Sequence, residues 1–471
     1  MNPPDRWLII SHDVMGQHMA GPGIRNLELA RVLARRSSVL LAIPTAVPRT
    51  VVPPDGRREA AAGRGELDAA GVTPFPYDWD SYASLAPAVA QAQVVITCGD
   101  VLERFPMLEQ TAVPIVVDGY DPHTLETLAL KSGSPDQEVA HRKRERILQI
   151  QCRAGDFFIC ASERQRDWWL GHLEAAGRVN PYTYAQDPSL RQLVDVVPFG
   201  LPSSSVVHTR QVLKGVWPGI EATDKVVLWG GGLWQWLDPF TAIHAMAEIR
   251  NRRKDVRLVF PGTRHPNRAA VPEMPVCAAS ERLAESLGLK DRCVFFGDWV
   301  PHQDWPSFLA ESDVALSLHP DTVEARLAFR SRALDYAWAG LPMVVTAGDT
   351  ISELVERYEL GEVVGFGDAR AVADAVLRLL DLPRASLGAG FDRARKLLTW
   401  ELAAEPLLAY CQHPRRAPDK AAGYQRLLAP GLEQRCSDLE EEKVRLQALV
   451  QGYERGRFIR FSRWLHKVTS R

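Results

Sequence analysis

The sequence has few of the features that mark several common classes of protein, and each shortage excludes a class. Its seven cysteines are scattered along 471 residues without the close pairs that bind zinc, which is typical of reduced cytosolic thiols. No run of about 18 apolar residues occurs, so a membrane-spanning helix is not expected. The N-terminus lacks a basic segment followed by a long apolar one. We therefore expect a cytoplasmic protein.

Strong net charge is also missing. The formal net charge of −2 gives the protein no overall attraction to nucleic acid, and we expect no nucleic-acid partner. No Asp-x-Asp motif stands in a convincing place for a metal, so we expect neither a metal ion nor another cofactor. Apolar residues make up 46% of the chain and charged residues 24%, which is typical of a globular protein.

Short apolar runs alternate with segments of helical spacing, which predicts α/β domains built on parallel sheets. The first half predicts strands at residues 7–11, 39–43, 94–97, 115–117, 157–160 and 194–198. The second half predicts strands at residues 226–229, 256–260, 293–296, 313–317 and 341–345. Because the chain is too long for one ordinary core, we place one domain at 1–205 and another at 222–412.

Two glycine-rich loops follow predicted strands. The first contains Gly21 and Gly23 and is closely followed by Arg25, and the second contains three glycines that end at Gly232. Glycine lets the backbone approach a bound group closely, so both loops are candidates for phosphate or substrate contacts. The first loop lacks the GxGxxG pattern of dinucleotide sites, and a plain turn explains it equally well.

A predicted helix over residues 330–337 begins with Arg330, Ser331 and Arg332. Free amides at a helix N-terminus, beside two guanidinium groups, suit a diphosphate. A solvated first turn is the alternative. Gly340 stands where a helix ends in a left-handed residue.

Carboxylates stand at the ends of two predicted strands, where open α/β sheets bind ligands. Asp118 and Asp121 follow the strand at 115–117, and Glu163 follows the strand at 157–160. The aspartates also suit a turn, and Glu163 suits the first turn of a helix capped by Ser162.

The segment LDYAWAGLPMVVT, residues 334–346, resembles the second domain of glycosyltransferases with the GT-B fold, in particular retaining enzymes of family 4. That family has a Leu-Glu-Ala-Met-Ala-x-Gly-x-Pro-Val-Val pattern here. The resemblance covers about residues 7–412. It implies two doubly wound, Rossmann-like domains that face a cleft, with a last helix near residues 400–410 that crosses back to the first domain.

The resemblance also implies a donor site in the second domain. Asp335 takes the place of the second Glu of the family's Glu-x7-Glu pair, which holds the ribose. Leu327 stands at the family's position for the first, sugar-contacting Glu, so Glu324 is the nearest candidate.

Other donor contacts follow from the same alignment. Gly232 and Leu237 occupy positions where the family has a basic pair that holds the diphosphate, so Arg330 and Arg332 are expected to supply the charge. Trp234 is a candidate for lining the sugar pocket, although packing explains it as well. Val300 lies in a segment whose backbone reads the base in the family.

In the first domain, the resemblance places the glycine loop and three side chains at the acceptor side of the cleft. These candidates are Gly21, Gly23, Arg25, Asp118 and Glu163. Asp121 stands where many family members carry His-Asp. We expect Asp121 and Glu324 to act in catalysis, with Asp118 and Asp121 orienting an acceptor hydroxyl and Glu324 contacting the sugar.

The implied activity is metal-independent, retaining transfer of a sugar from a nucleoside diphosphate to a hydroxyl of a glycan or lipid-linked acceptor. Synthesis of a surface polysaccharide or glycolipid is the expected setting. A GT-B epimerase or phosphorylase is one alternative. A non-catalytic scaffold is another, consistent with the missing basic pair.

The C-terminal part differs in composition. Residues 413–431 are expected to form a polar linker, and residues 432–453 a short coiled-coil helix that allows an oligomer. Residues 455–471 contain six Lys or Arg, no acidic residue and interleaved aromatics. This pattern suits the surface of an anionic membrane, although a partner protein or the protein's own domain are alternatives.

Overall fold

The computed structural model describes residues 6–13, 21–45, 71–264 and 274–424, together with Glu442, Arg445, Leu446 and Val450. The predicted basic tail, and nearly all of the predicted coiled coil, lie outside the described residues. The described chain forms two α/β domains, each with a parallel sheet, which confirms the predicted fold class.

The first domain is built on a seven-stranded sheet in the order β3-β2-β1-β4-β5-β6-β7, in which every pairing is parallel. Its strands are β1 (Arg6–Ile10), β2 (Ser38–Pro44), β3 (Val72–Tyr77), β4 (Val94–Cys98), β5 (Ile115–Asp118), β6 (Phe157–Cys160) and β7 (Val194–Val196). Its helices are α1 (Gly21–Ala34), α2 (Tyr82–Ala90), α3 (Val101–Arg104), α4 (His123–Leu130), α5 (Gln137–Ala154), α6 (Glu163–Ala175) and α7 (Pro181–Gln186).

The second domain has a six-stranded parallel sheet in the order β10-β9-β8-β11-β12-β13. Its strands are β8 (Lys225–Trp229), β9 (Val256–Phe260), β10 (Val294–Phe296), β11 (Val314–Ser317), β12 (Met343–Thr346) and β13 (Gly361–Val364). Its helices are α8 (Pro239–Arg252), α9 (Pro275–Ser286), α10 (Trp305–Ala310), α11 (Val323–Leu327), α12 (Arg332–Ala339), α13 (Thr350–Tyr358), α14 (Ala369–Asp381) and α15 (Gly388–Leu397).

Both sheets have the strand order of a doubly wound fold, and this order creates a crevice at one place in each. The chain leaves β1 and β4 in opposite directions, and likewise β8 and β11, so the loops after these strands diverge. Ligands bind outside the carboxyl ends of strands at such points. The loops after β1 and β4, and after β8 and β11, are therefore the places to look for a site.

Two edge strands were not predicted from the sequence. β3 contains Pro74 and Pro76, and β13 begins at Gly361. Proline cannot donate to a neighbouring strand and is tolerated only where one side of a strand has no partner, as at the outer edge of this sheet. The usual signals for a strand were therefore missing in both places.

The segment between the predicted domains packs on the second domain. The carboxylate of Glu311 accepts hydrogen bonds from the backbone amides of Val212, Leu213 and Lys214 at 2.8–2.9 Å. Val212 and Leu213 are buried with Phe308. These contacts belong to the second domain although they precede the predicted start at residue 222.

Two short helices, α16 (Trp400–Ala403) and α17 (Glu405–Gln412), lie where the sequence places one helix that crosses back to the first domain. The Leu201 amide donates to the Leu398 carbonyl at 2.6 Å, and the Tyr410 ring stacks on Phe157 with centroids 4.6 Å apart.

Residues 413–424 are not the free polar linker that the sequence predicts. They contain α18 (Pro418–Ala421), in which Asp419 accepts a hydrogen bond of 2.7 Å from the Arg178 Nε, and both side chains are fully buried. A charge this deeply buried needs its partner, so this pair fixes α18 to the first domain.

Candidate functional site

The glycine turn after β8 is fixed by a tyrosine at the crevice of the second sheet. The Tyr336 hydroxyl accepts a hydrogen bond from the Gly230 amide at 2.7 Å and donates one to the Leu316 carbonyl at 3.0 Å. It thus joins α12 to the two strands that diverge. Gly231 has φ of +74°, a conformation that strongly favours glycine.

Arg332, the first residue of α12, lies against this turn. Its Nη2 is 3.4 Å from the Gly232 carbonyl oxygen, and its guanidinium carbon is 5.7 Å from the centre of the Trp229 ring. Burial lowers the pKa of Arg332 to about 10, so the group is still positive at neutral pH. Its Nη1 is buried and has no hydrogen-bond partner among the described residues. The turn therefore has a positive group, with spare hydrogen-bonding capacity, at the start of a helix.

Asp335 lies on the same helix and is held by an aromatic residue from α10. The Trp305 Nε1 donates to the Asp335 Oδ2 at 3.0 Å. The Trp305 ring also lies 3.1 Å from the place where a side chain on Gly230 would begin. Arg332, Asp335 and the glycine turn thus form one group of residues, here termed the turn site.

The pKa of Asp335 is raised to about 6 by burial, although the hydrogen bond from Trp305 and the charge of Arg332 oppose the rise. In the unfolded chain the pKa of this carboxyl group is near 3.8, so the folded protein binds the proton more tightly than the unfolded chain does. The free energy of unfolding therefore falls as pH rises from about 4 to about 6. Above pH 6 the loss of stability caused by the buried charge no longer changes with pH.

Asp335→Asn is expected to raise the melting temperature at pH 8 and to change it less at pH 4.5, because asparagine carries no charge and still accepts from Trp305. The same variant is expected to weaken donor binding, since a neutral amide is a poorer acceptor for ribose hydroxyls. Melting curves at the two pH values, with titration of a nucleoside diphosphate, check both effects. If the difference in melting temperature between Asp335→Asn and wild type is the same at both pH values, the pKa of Asp335 is not raised by burial.

Arg330 pairs with a carboxylate. Its Nη2 donates to the Glu324 Oε2 at 2.6 Å, and the two side chains are 7% and 4% exposed. Ser331 precedes α12, and its amide donates to the Phe329 carbonyl at 2.9 Å. The helix begins at Arg332 rather than at residue 330, which turns Arg330 toward Glu324. The Arg330 Nε, like the Arg332 Nη1, is buried without a hydrogen-bond partner among the described residues. Contact of either arginine with a diphosphate therefore stays a prediction.

Two further donor candidates stay predictions. Trp234 packs against the core of the second domain and stacks parallel to Trp236, with ring centroids 5.3 Å apart. Its Nε1 lies 3.1 Å from the position of a Cβ on Gly232, so it borders the turn. The backbone nitrogen of Val300 lies 4.0 Å from the position of a Cβ on Gly262, at the end of β9.

Arg25 and Asp118 form a buried pair in the first domain. Two hydrogen bonds of 2.7 and 2.9 Å run from the Arg25 guanidinium to the Asp118 carboxylate, and a third of 2.8 Å reaches the Val197 carbonyl. Arg25 is 0% exposed and Asp118 is 2% exposed. The Arg25 Nη1 is also buried and has no hydrogen-bond partner among the described residues. Contact of this pair with an acceptor stays a prediction.

The other acceptor candidates also differ from expectation. Gly21 and Gly23 lie in the first turn of α1 rather than in a loop, and neither has a positive φ. Glu163 is exposed and its carboxylate is 2.7 Å from Arg191, while Ser162 caps α6 by accepting from the Gln165 amide. The capping alternative for Ser162 is therefore the one that the structure shows, and Glu163 points to solvent.

Asp121 lies where the two domains meet. The Gln165 side chain donates to the Tyr120 carbonyl at 2.7 Å and to the Leu327 carbonyl of the second domain at 2.8 Å. Asp121 and Glu324 both act on the charge of Glu126, a residue of α4 that the sequence did not single out. The structure thus brings both catalytic candidates to one interdomain cluster of carboxylates.

The crevice of the first sheet holds a thiol and an imidazole. His12 follows β1 and Cys98 ends β4, and the His12 Nδ1 is 3.1 Å from the Cys98 Sγ. The Asn26 side-chain amide donates to the Ser11 hydroxyl at 3.1 Å beside them. Within the described ranges, no group of three or more His, Cys, Asp or Glu is arranged to hold a metal ion.

Residues 224–382 match the family described as glycosyl transferases group 1, and this range contains the whole turn site and Glu324. A search of curated proteins finds no significant match.

Solved structures share the fold across both domains. A sucrose-phosphate synthase from Thermosynechococcus elongatus is 18% identical with a TM-score of 0.56, over 87% of this chain and 98% of that chain. HepE from Anabaena, solved with UDP-glucose, is 15% identical with a TM-score of 0.58, over 86% and 99%. WaaG, a glycosyltransferase involved in lipopolysaccharide biosynthesis, is 16% identical with a TM-score of 0.52, over 86% and 98%. The chain therefore has the GT-B fold.

Proposed function

We propose that the protein is a glycosyltransferase that moves a sugar from a nucleoside diphosphate to a hydroxyl of a glycan or lipid-linked acceptor. The observation that carries this proposal is the turn site, where a positive guanidinium with a free Nη1 lies against a glycine turn at the crevice of the second sheet. The match of residues 224–382 to group 1 glycosyl transferases supports it. Diphosphate is the ligand class that such a group of donors suits.

In this proposal, different residues of the turn site bind different parts of the donor. Arg332 and the backbone of the glycine turn bind the diphosphate, and Asp335 accepts from the ribose hydroxyls. The structure of HepE was solved with UDP-glucose, which supports a nucleotide sugar as the ligand of this fold. Trp234 and Val300 are proposed to contact the sugar and the base.

The proposed reaction is metal-independent and retains the configuration of the sugar. The bond between the anomeric carbon and the leaving diphosphate breaks, and a bond from that carbon to the acceptor oxygen forms on the same face. The acceptor proton passes to a phosphate oxygen of the leaving group. Arg332 stabilises the charge that develops on this group. Glu324 and Asp121 are proposed to orient the sugar and the acceptor hydroxyl.

Ligand-induced stabilisation tests the proposal directly. Melting curves are measured with UDP, GDP, TDP and their sugars, and a ligand at 100 times its Kd adds about 2.7 kcal/mol to the free energy of unfolding. We expect one nucleotide to raise the melting temperature. Stabilisation by none of them, in a protein that is folded at the start, would remove the proposed donor site.

Product analysis then separates transfer from the alternatives. Release of the nucleoside diphosphate only when an acceptor is added supports a transferase, and a change in the donor sugar without an acceptor indicates an epimerase. Binding without turnover indicates a scaffold. The hypothesis of a non-catalytic scaffold is based on the basic pair that is missing from the glycine turn. Arg332 supplies a positive charge there from α12.

We also propose peripheral association with a membrane through residues 455–471, and synthesis of a surface polysaccharide or glycolipid. Six basic residues with interleaved aromatics motivate this. Within the described parts of the chain, no helix combines the length and apolar character needed to cross a bilayer. The buried pair of Arg178 with Asp419 fixes α18 to the first domain.

Removing residues 455–471 is expected to abolish sedimentation with vesicles of anionic lipid and to leave donor binding unchanged. Each basic residue near such a surface contributes about 1 kcal/mol, so binding is also expected to weaken with salt. Vesicles of neutral lipid serve as the control. Full-length protein that stays in the supernatant at low salt would contradict the proposal, and oligomer loss on truncation would indicate a protein interface.

A further inference from the structure

The first turn of α6 reaches from the first domain to the second. Ser162 caps this helix by accepting a hydrogen bond of 3.2 Å from the Gln165 backbone amide, which fixes the turn. Gln165 is 1% exposed, and α6 contacts α11 of the second domain. The Gln165 side chain therefore lies buried at the domain boundary.

The side-chain amide of Gln165 makes three hydrogen bonds there. Its Nε2 donates to the Tyr120 carbonyl of its own domain at 2.7 Å and to the Leu327 carbonyl of the second domain at 2.8 Å. Its Oε1 accepts from the Ala161 backbone amide at 2.7 Å. A backbone amide can only donate and a carbonyl can only accept, so these partners determine which end of the side chain is the nitrogen. One nitrogen atom thus joins the two domains.

The two joined carbonyl groups stand close to both catalytic candidates in the chain. Tyr120 directly precedes Asp121, which is proposed to orient the acceptor. Leu327 ends α11, the helix that carries Glu324, which is proposed to contact the sugar. A shift of either carbonyl group would therefore move the backbone that carries a catalytic candidate.

The preceding residue makes a second polar link to the other domain. The Arg164 guanidinium donates to the Gly348 carbonyl and to the Glu353 carboxylate, both of the second domain. The side chains of Arg164 and Glu353 are 31% and 50% exposed, and water weakens an ion pair of this kind. The buried bonds of Gln165 are therefore expected to hold the boundary more firmly than those of Arg164.

We propose that Gln165 is a positioning residue of the cleft, whose amide holds the end of α11 against the loop after β5 and so sets the distance between Glu324 and Asp121. The part of this inference that concerns the domain boundary rests on the contacts alone. The part that concerns catalysis rests on the proposed function.

Replacing Gln165 with leucine removes both donors and leaves two buried carbonyl groups without this partner. We expect kcat/KM for sugar transfer to fall about 10-fold to 100-fold, the size of two lost hydrogen bonds. The Kd of the nucleoside diphosphate is expected to stay within about threefold of wild type, because the turn site belongs to the second domain alone. A general loss of folding would weaken donor binding and turnover together, so this split identifies a positioning role.

Replacing Gln165 with glutamate gives a variant whose hydrogen bonding changes with pH. An ionised carboxylate still accepts from the Ala161 amide but donates to neither carbonyl, whereas a protonated carboxyl has one O–H group to donate. The activity of Gln165→Glu relative to wild type is therefore expected to rise as pH is lowered from about 8 to about 5, toward the ordinary range of glutamate. The relative activity of Gln165→Leu is expected not to change with pH.

Gln137→Leu is the matched control. Gln137 also accepts from a backbone amide, that of Gly133, and donates to a carbonyl, that of Leu128, but all three residues belong to the first domain. This variant is expected to keep the activity, the donor affinity and the pH profile of wild type.

Hydrogen exchange measured by mass spectrometry tests the boundary without any need for activity. In Gln165→Leu, amides of residues 323–331 are expected to exchange at least about threefold faster than in wild type, because the segment loses its anchor. Amides of β12 serve as the internal control and are expected not to change. If the leucine variant does not fold, Gln165→Glu at pH 8 is used in its place.

The two proposals can fail separately. If wild type transfers no sugar, the proposed function fails, and the exchange of residues 323–331 still decides whether Gln165 holds the boundary. The inference is overturned if this exchange is the same in the variant and in wild type. It is also overturned if an active wild type and Gln165→Leu have the same kcat/KM, or if donor affinity falls as much as kcat/KM.

Discussion

Replacing Arg332 with alanine is expected to weaken binding of the nucleoside diphosphate about 10-fold to 100-fold, the effect of one charge-assisted contact of roughly 1.5–3 kcal/mol. The physical reason is its position, since the guanidinium lies against the Gly232 carbonyl and its Nη1 is buried without a partner among the described residues. Calorimetric titration with the nucleotide found in the stability screen measures the change in Kd. Turnover is expected to fall at least as much, because the charge on the diphosphate grows as the bond to the sugar breaks.

Three further variants sharpen this experiment. Arg332→Lys keeps the charge but loses the forked geometry, so an intermediate loss is expected. Arg326→Ala removes an exposed arginine from the neighbouring helix α11 and is expected to change nothing. If Arg332→Ala binds like wild type while folded Arg330→Ala loses binding, the diphosphate lies at Arg330, as the sequence pattern also allowed.

Replacing Asp118 with alanine is expected to lower the free energy of unfolding by about 3–5 kcal/mol, because it leaves the Arg25 guanidinium buried without its counter-charge. Arg25 makes two hydrogen bonds to Asp118, and its guanidinium carbon lies 5.1 Å from the centre of the Tyr120 ring and 4.9 Å from that of Phe199. Phe199 in turn stacks on Phe329 of the second domain, so the substitution is also expected to weaken packing at the domain boundary. Urea-induced unfolding measures the loss.

Two comparisons show whether burial is the cause. Asp80→Ala removes an exposed ion pair with Arg104 and is expected to cost no more than about 1 kcal/mol. The double variant Arg25→Met with Asp118→Val removes both charges, and it is expected to be more stable than Asp118→Ala alone. An Asp118→Ala protein as stable as Asp80→Ala would show that water reaches Arg25.

Much of the fold follows from local sequence patterns. The central strands β1, β4, β5, β8, β11 and β12 are short apolar runs, and each was predicted within two residues of its observed bounds. These strands are covered on both faces by helices, so their sequences are apolar throughout. The edge strands β3 and β13 lack that signal, because an edge tolerates proline and glycine.

Only part of the candidate site could be predicted from the sequence. Gly340 has the left-handed conformation that its place after a helix predicts, with φ of +63°, and the glycine turn after β8 lies at the crevice of the second sheet. Asp335 and Arg332 share one helix, so their proximity follows from sequence spacing. Trp305, which holds Asp335, comes from 30 residues earlier in the chain and gave no signal of its own.

The sequence by itself determined the alternation of strands and helices, the glycine turns and the helix that carries Arg332 and Asp335, because each depends on neighbours within a few residues. Only the tertiary structure decided which charges are available. Arg25 and Asp118 are 93 residues apart and Arg178 and Asp419 are 241 apart, yet each pair is buried and joined by hydrogen bonds within the protein. Arg330 likewise pairs with Glu324, and Glu126 meets both domains at their boundary. A charged residue has the same identity in a sequence whether it binds a substrate or another side chain, and the difference lies in the partner and the burial that folding gives it.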